Sequence, residues 1–296
     1  MNNYKFLFPF LVLIFSLVTT DVYAKELAQC QNVSAIFKDL TNRLIKDGFK
    51  KEEICKIFSD RRVTFNPRVM PRKVVHKESK LHYDIFLDEK RIRRAKKYLN
   101  TYRQLFDSIE QEYGIPKEIK VAILLVETDL GRYLGSTLAI NTLASMAVAK
   151  DFDSVKRYLP REYRKNITKR IKVRLDKKLK KKSEWAYNEL KSLLIYAQQN
   201  KLDLFKIKGS IFGAIGLCQF MPSNALKFGV DYNRDGKVDL FDPADAIASM
   251  ANYLRYYGWR GKLGYKKKMR VIMHYNHSKP YARTVIKVAE EVDDIS

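Results

Sequence analysis

A mainly α-helical fold is what this chain predicts, on three observations. Apolar residues return at three- and four-residue spacing over most of its length, glycines stand where those runs stop, and strand-like alternation is confined to one short stretch. Val33, Ile36, Phe37, Leu40 and Leu44 mark a first helix that ends at Gly48. Ile92, Ala95, Leu99, Tyr102, Phe106 and Ile109 mark a longer helical stretch ending at Gly114. Between them, residues 62–87 carry Pro67, Pro71 and a loose alternation from Val74 to Phe86, which reads as loop with one short hairpin. Pro116 suits a first helical position, and Ile119 to Leu130 is apolar on nearly every side, so this helix is expected at the buried centre. Trp185 to Gln199 reads as another amphipathic helix and Gly209 to Pro222 as a glycine-punctuated loop. Asp242-Pro243 opens a helix running to Gly258, and two short helices close the chain.

A chain of 296 residues with 46% hydrophobic and 12% aromatic side chains can offset its conformational entropy by burial, which excludes disorder as its main state. Its charge is the outlier, since 57 Lys and Arg against 33 Asp and Glu leave +24. Such a field favours polyanionic partners without choosing among them. The choice comes from residues 1–24. Lys5 gives a basic start, Phe6 to Val18 is apolar apart from Pro9 and Ser16, and Val22-Tyr23-Ala24 has small residues at the positions a signal peptidase reads. The run is too short to span a bilayer, so a cleaved secretory signal is expected. Its removal takes Lys5 and Asp21 together and leaves +24, so the exported protein is expected to meet a cell-envelope polymer rather than nucleic acid.

Residues 156–182 hold 14 Lys or Arg against Glu162 and Asp176, so this stretch supplies +12, half of the net charge. One reading is a solvated basic helix with Ile167, Ile171, Leu175 and Leu179 on its inner side; the other is a tether to an anionic envelope polymer or membrane surface. Two fates are open to Cys30. It can pair with Cys55 in an oxidising compartment, or Leu27-Ala28-Gln29-Cys30 can act as a lipid attachment box, although Gln29 stands where a small residue is expected. Cys218 is then left free and buried, and no CxxC spacing supports a zinc or redox site.

Four segments carry chemistry. In VAILLVETDLG, Glu127 follows six residues without a charge, and an apolar setting favours the protonated carboxyl that a general acid needs near neutral pH. In GSIFGAIGLCQFMPS, glycines 209, 213 and 216 let backbone approach a bulky ligand, while Ser210 and Gln219 offer neutral groups suited to sugar hydroxyls and amides. DYNRDGKVDLFDPAD places Asp231, Asn233 and Asp235 at positions 1, 3 and 5 of a calcium loop, Gly236 at the sharp turn and the Lys237 carbonyl at position 7. Position 12 is Asp242, which is also an obvious helix N-cap; if it caps, Asp245 is the closing ligand. In MHYNHSKPYA, Asn276 and Tyr281 suit a saccharide groove, and His274 and His277 have no partners at metal-ligand spacing.

In this order and at these separations the four segments resemble the B-type lytic murein transglycosylases, bacterial cell-wall enzymes. The likeness runs from about Ile36 to Ala289 and includes NYLRYYGW after the loop. It implies a lysozyme-like, lobed helical fold over residues 25–296, with an EF-hand-like calcium loop at 231–245. It further implies Glu127 as the single catalytic acid/base, Ser210, Gln219, Asn276 and Tyr281 along the glycan groove, and Asp231, Asn233, Asp235, Lys237 and Asp245 around a structural calcium. The implied partner is peptidoglycan, acted on by a monomer in the periplasm or envelope, free or membrane-attached, without an organic cofactor. Two departures stand out: Asp129-Leu130 replaces the usual Arg-Tyr or Asn-Phe, and Leu226 stands where an aromatic is common. Two rivals remain, a non-catalytic peptidoglycan-binding protein and a hydrolytic muramidase that would use Asp129 as a second carboxylate.

Overall fold

The computed structural model describes residues 30–76, 83–165 and 167–293. The signal segment at 1–24 and the middle of the expected hairpin lie outside the described residues. The chain divides into two compact units, one ending at Phe65 and one beginning at Asn66. In the first, α1 (Lys38–Lys46) and α2 (Lys51–Ser59) form an antiparallel pair, with Phe37 and Phe58 in ring contact at 5.5 Å. A disulfide joins Cys30 to Cys55, the first of the two fates open to Cys30; Leu27, Ala28 and Gln29 of the lipid box lie outside the described residues.

The second unit is almost wholly helical. The segment expected as loop and hairpin instead contains α3 (Val69–Val75) and a 3-10 turn at Asp84–Leu87. Val69, Met70 and Val74 recur on one face of α3 and are buried, and that burial outweighs the intrinsic cost of Pro71, which falls in the first turn where its missing N–H is harmless. The long stretch before Gly114 is two helices, α4 (Glu89–Thr101) and α5 (Arg103–Tyr113), broken at Tyr102, where the backbone leaves helical geometry. Gly114 ends α5 in the left-handed conformation.

The apolar run forms α6 (Lys117–Thr128), with Val121, Ala122, Ile123, Leu124 and Leu125 fully buried. Burying each of the larger side chains is worth roughly 1.5–3 kcal/mol, so this helix holds the unit together. It is surrounded by α4, α5 and the later helices at Pro243–Tyr256 and Lys279–Asp293. Helix α7 (Ala139–Val148), which no sequence signal singled out, is also nearly all buried and packs along the long helix at Lys169–Gln199. Short helices α8 (Phe152–Val155) and α9 (Arg161–Lys165) lead into α10 (Lys169–Gln199), which unites the basic stretch and the expected 185–199 helix in 31 residues. Then come α11 (Pro222–Phe228), α12 (Pro243–Tyr256), α13 (Tyr265–Tyr275) and α14 (Lys279–Asp293).

One two-stranded antiparallel ladder is present among the described residues, β1 (Thr137–Leu138) with β2 (Lys208–Gly209), Thr137 opposite Gly209. It joins the turn after α6 to the start of the glycine loop.

Candidate active site

Glu127 lies in the last turn of α6 and is half-buried. The helix stops there because Asp129 and Leu130 both adopt left-handed backbone, φ 50° and 62°. Their N–H groups return to the Leu125 and Leu124 carbonyls, each at 3.0 Å. Neither residue is glycine, so the turn carries strain that its surroundings must hold. They do so through side chains. Arg94 from α4 donates to Asp129 Oδ1 at 2.6 Å, and Arg132 reaches the other oxygen at 3.7 Å. Thr128 donates from Oγ1 to the Leu217 carbonyl at 3.1 Å and accepts from the Gly131 N–H at 3.1 Å, tying the end of α6 to the glycine loop.

Close approach of two backbones completes the joint. A Cβ on Gly135, whose φ is 96°, would stand 1.9 Å from the Gly209 carbonyl oxygen, so only glycine fits. At the far end of the loop, buried Glu189 of α10 accepts both the Ser223 N–H at 3.0 Å and its hydroxyl at 2.8 Å.

Ser210 and Gln219 are half-buried in this loop and both help to build it. Ser210 Oγ accepts from the Ala214 N–H at 3.0 Å and the Phe212 N–H at 3.3 Å. Gln219, at φ 48°, donates through Nε2 to the Gly216 carbonyl at 2.9 Å. Asn276 is half-buried at the C-terminal end of α13. Tyr281, buried in the first turn of α14, donates its hydroxyl to Glu127 Oε1 at 2.6 Å, and its ring meets Tyr83 edge-on at 5.7 Å. The structure thus brings Tyr281 directly onto Glu127.

Beside them the Tyr275 hydroxyl donates to the Cys218 carbonyl. Burial raises the Tyr275 pKa well above the ordinary phenol value, so it stays a neutral donor. Burial likewise pushes the Cys218 thiol up to about 12; it is free, as expected, and chemically quiet. Thr128 and Tyr275 stand inside the VAILLVETDLG and MHYNHSKPYA segments without an expected role, and Arg94 and Glu189 lie outside all four segments. Only Tyr275 had a local signal, its place beside Asn276 at the end of α13. His274 stacks on Tyr257 at 4.4 Å, in keeping with a non-metal role.

The acidic loop is closed by its own side chains. Asp231 accepts from the Asp235 N–H at 3.1 Å and the Gly236 N–H at 2.9 Å, with Gly236 at φ 86°. Asp242 caps α12, accepting from the Ala244 N–H at 2.8 Å. Asp245 is fully buried and accepts from the Tyr232 and Asp239 N–H groups at 2.9 and 2.8 Å, so it closes the loop. Burial raises its pKa, the backbone donors opposing the shift. Asn200 and Tyr196 of α10 receive the Val238 and Leu240 N–H groups at 2.6 and 3.1 Å. An all-oxygen, acidic donor set fits calcium in its chemistry. Among the described residues, however, no three His, Cys, Asp or Glu side chains converge as a metal site.

A helical, lysozyme-like domain organised around one half-buried glutamate at the end of its central helix is the class of protein that this fold and site define. The chain belongs to the transglycosylase SLT domain family, whose model matches residues 32–269. It is 33% identical over 162 residues to the membrane-bound lytic murein transglycosylase B of Escherichia coli (strain K12), which covers 55% of this chain and 37% of that protein. The chain therefore spans little more than a third of the length of that curated relative. Its fold matches the Escherichia coli lytic transglycosylase Slt35 in complex with calcium, with a TM-score of 0.68 and 22% identity over 87% of this chain and 92% of that one. It also matches SltB3 from Pseudomonas aeruginosa in complex with NAG-anhNAM-pentapeptide, with a TM-score of 0.66 and 21% identity over 85% and 77% of the two chains.

Proposed function

We propose that this chain is an exported lytic transglycosylase. It cuts the β-1,4 bond between N-acetylmuramic acid and N-acetylglucosamine in peptidoglycan and leaves 1,6-anhydromuramic ends. The observation that carries this reading is Glu127 at the end of a buried helix, held at Oε1 by the Tyr281 hydroxyl at 2.6 Å. Glu127 protonates the leaving glycosidic oxygen as the C1–O bond breaks. The resulting carboxylate takes the proton from the muramic C6 hydroxyl while that oxygen bonds to C1. The proton count returns to its start and no water is consumed, so one carboxylate is enough.

The ion pairs of Asp129 with Arg94 and Arg132 favour this route over a hydrolytic muramidase. Those guanidinium groups compete with a water for the Asp129 oxygens. Ser210, Gln219 and Asn276 hold the sugar rather than move protons, while Tyr281, expected in the groove, orients Glu127; the loop hydrogen bonds of Ser210 and Gln219 fix those two side chains for their task. Calcium, present in the Slt35 structure, is assigned to the side chains of Asp231, Asn233, Asp235 and Asp245 and the Lys237 carbonyl. Its role is to offset their negative charge and stiffen the loop. The signal segment and the membrane-bound relative support a place in the periplasm or envelope.

The test is lysis of isolated cell walls by the native chain and by Glu127→Gln. The variant keeps the hydrogen bond from Tyr281 and loses the proton, so the rate falls by at least ~100-fold while wall binding persists. An undiminished rate overturns the assignment.

A further inference from the structure

The stretch 156–182 plays no part in the chemistry above, and its geometry departs from a simple solvated helix. Ile167, Leu175 and Leu179 pack inward on a cluster that includes Val69, Met146 and Phe152. The expected fourth inner residue, Ile171, is instead 44% exposed. Eight residues at 100° each turn it about 80° around the helix from Leu179, out to the flank of the buried face. Val173 is 63% exposed on the outer face, with Lys169 and Arg170 one turn before it, Lys177 one turn after it and Arg174 beside it. Tyr163, on the short α9, adds a third exposed apolar body at 36%.

The cations around Val173 are uncommitted. Asp153 engages Lys156 and Lys172, and Asp176 is taken up by the Phe152 N–H. Among the described residues, Lys169, Arg170, Arg174, Lys177, Lys180 and Lys181 pair with no carboxylate. No helix among the described residues is long and apolar enough to cross a membrane, so any lipid contact made here lies along the surface.

We propose that this outer face of α10, with α9, docks on an anionic phospholipid surface, its cations meeting lipid phosphates while Val173 enters the interface and Ile171, two residues away and so on the opposite flank, stays out of it. The exposed Val173 amid the cations decides between partners. A hydrophilic wall polymer answers the +12 charge but gains nothing from Val173, whereas a lipid interface rewards its burial and lets long Lys and Arg stems reach outward to headgroups. The inference is independent of the catalytic reading, because none of these residues touches the Glu127 site.

The test is co-sedimentation of the purified chain with phosphatidylglycerol vesicles, phosphatidylcholine vesicles and isolated wall sacculi, at ~50 and ~500 mM salt. The native chain is expected on phosphatidylglycerol at low salt and not on phosphatidylcholine. Changing Lys169, Arg170, Lys177 and Lys181 to Gln lowers that binding by at least ~100-fold. Val173→Ser lowers it by roughly threefold to tenfold with every charge in place, and Ile171→Ser, on the opposite flank, leaves it unchanged. All three variants should keep native melting temperatures and native activity on soluble glycan fragments. Undiminished vesicle binding by Val173→Ser overturns the proposal, as it leaves electrostatics alone. Retention of the native chain on sacculi but not on phosphatidylglycerol overturns it in favour of a wall tether.

Discussion

In the proposed reaction, Tyr281 is the residue that orients Glu127 as the acid. Its ring is locked against Tyr83 and its hydroxyl donates to Glu127 Oε1. A hydrogen bond to a charged group contributes about 1.5–3 kcal/mol, so Tyr281→Phe should lower kcat by roughly 10- to 100-fold and leave KM nearly unchanged. A rise in KM with kcat intact would show that Tyr281 only binds sugar. Lys120, in the same helix, makes the opposite kind of contribution. It is fully buried, donates to the Phe106 carbonyl at 3.1 Å, and burial lowers its pKa from 10.5 to about 8. Between those two values the unfolded chain holds a proton that the folded chain has released, so stability rises with pH across that window and the cost is complete below pH 8. Lys120→Met should therefore stabilise the protein at pH 7 by on the order of 2 kcal/mol, with the gain shrinking as pH passes from 8 towards 10.5. Denaturation midpoints at pH 7 and pH 10 measure this, and a gain equal at both contradicts it. Glu127 was legible as the misfit carboxylate in an apolar run. Lys120 was not, because a lone charge in a run reads as its solvated edge until burial is seen.

Elements were legible wherever periodicity and punctuation agreed. The centre of the unit at α6, the Asp242 cap of α12 and the glycine loop followed from local pattern. Helices α3 and α7 did not. Two prolines masked α3, whose helix is held by buried Val69, Met70 and Val74, and α7 breaks its apolar run with Asn141, Thr142 and Ser145 and has no side-chain cap to mark its start. Contacts distant in sequence were equally silent, such as Thr128 with Leu217 and Glu189 with Ser223. The acidic loop yields the prediction proper to this scale. Calcium at ~100 times its Kd should stabilise the fold by about 2.7 kcal/mol, seen as a higher melting temperature by calorimetry. Asp231→Ala, at the half-exposed rim, should abolish that calcium increment and cost little without metal. Asp245→Ala should lower the melting temperature even in chelator, because it strands the buried Tyr232 and Asp239 N–H groups. Identical behaviour of the two variants in chelator would contradict the division of labour.

At the scale of the whole molecule, the account rests on the route taken by the glycosyl carbon once the bond to the leaving sugar breaks. The muramic C6 hydroxyl belongs to the bound substrate, so its attack is intramolecular and outruns water by proximity where the groove holds the sugar and excludes solvent. With Asp129 engaged by Arg94 and Arg132, no carboxylate neighbouring Glu127 in sequence is left to activate water. The direct measurement is the mass of muropeptides released from purified peptidoglycan. The account predicts products ending in 1,6-anhydromuramic acid, about 18 mass units lighter than hydrolytic products because one water is never added. Products with free reducing ends would contradict it and make the chain a muramidase; binding without release would make it a non-catalytic wall protein.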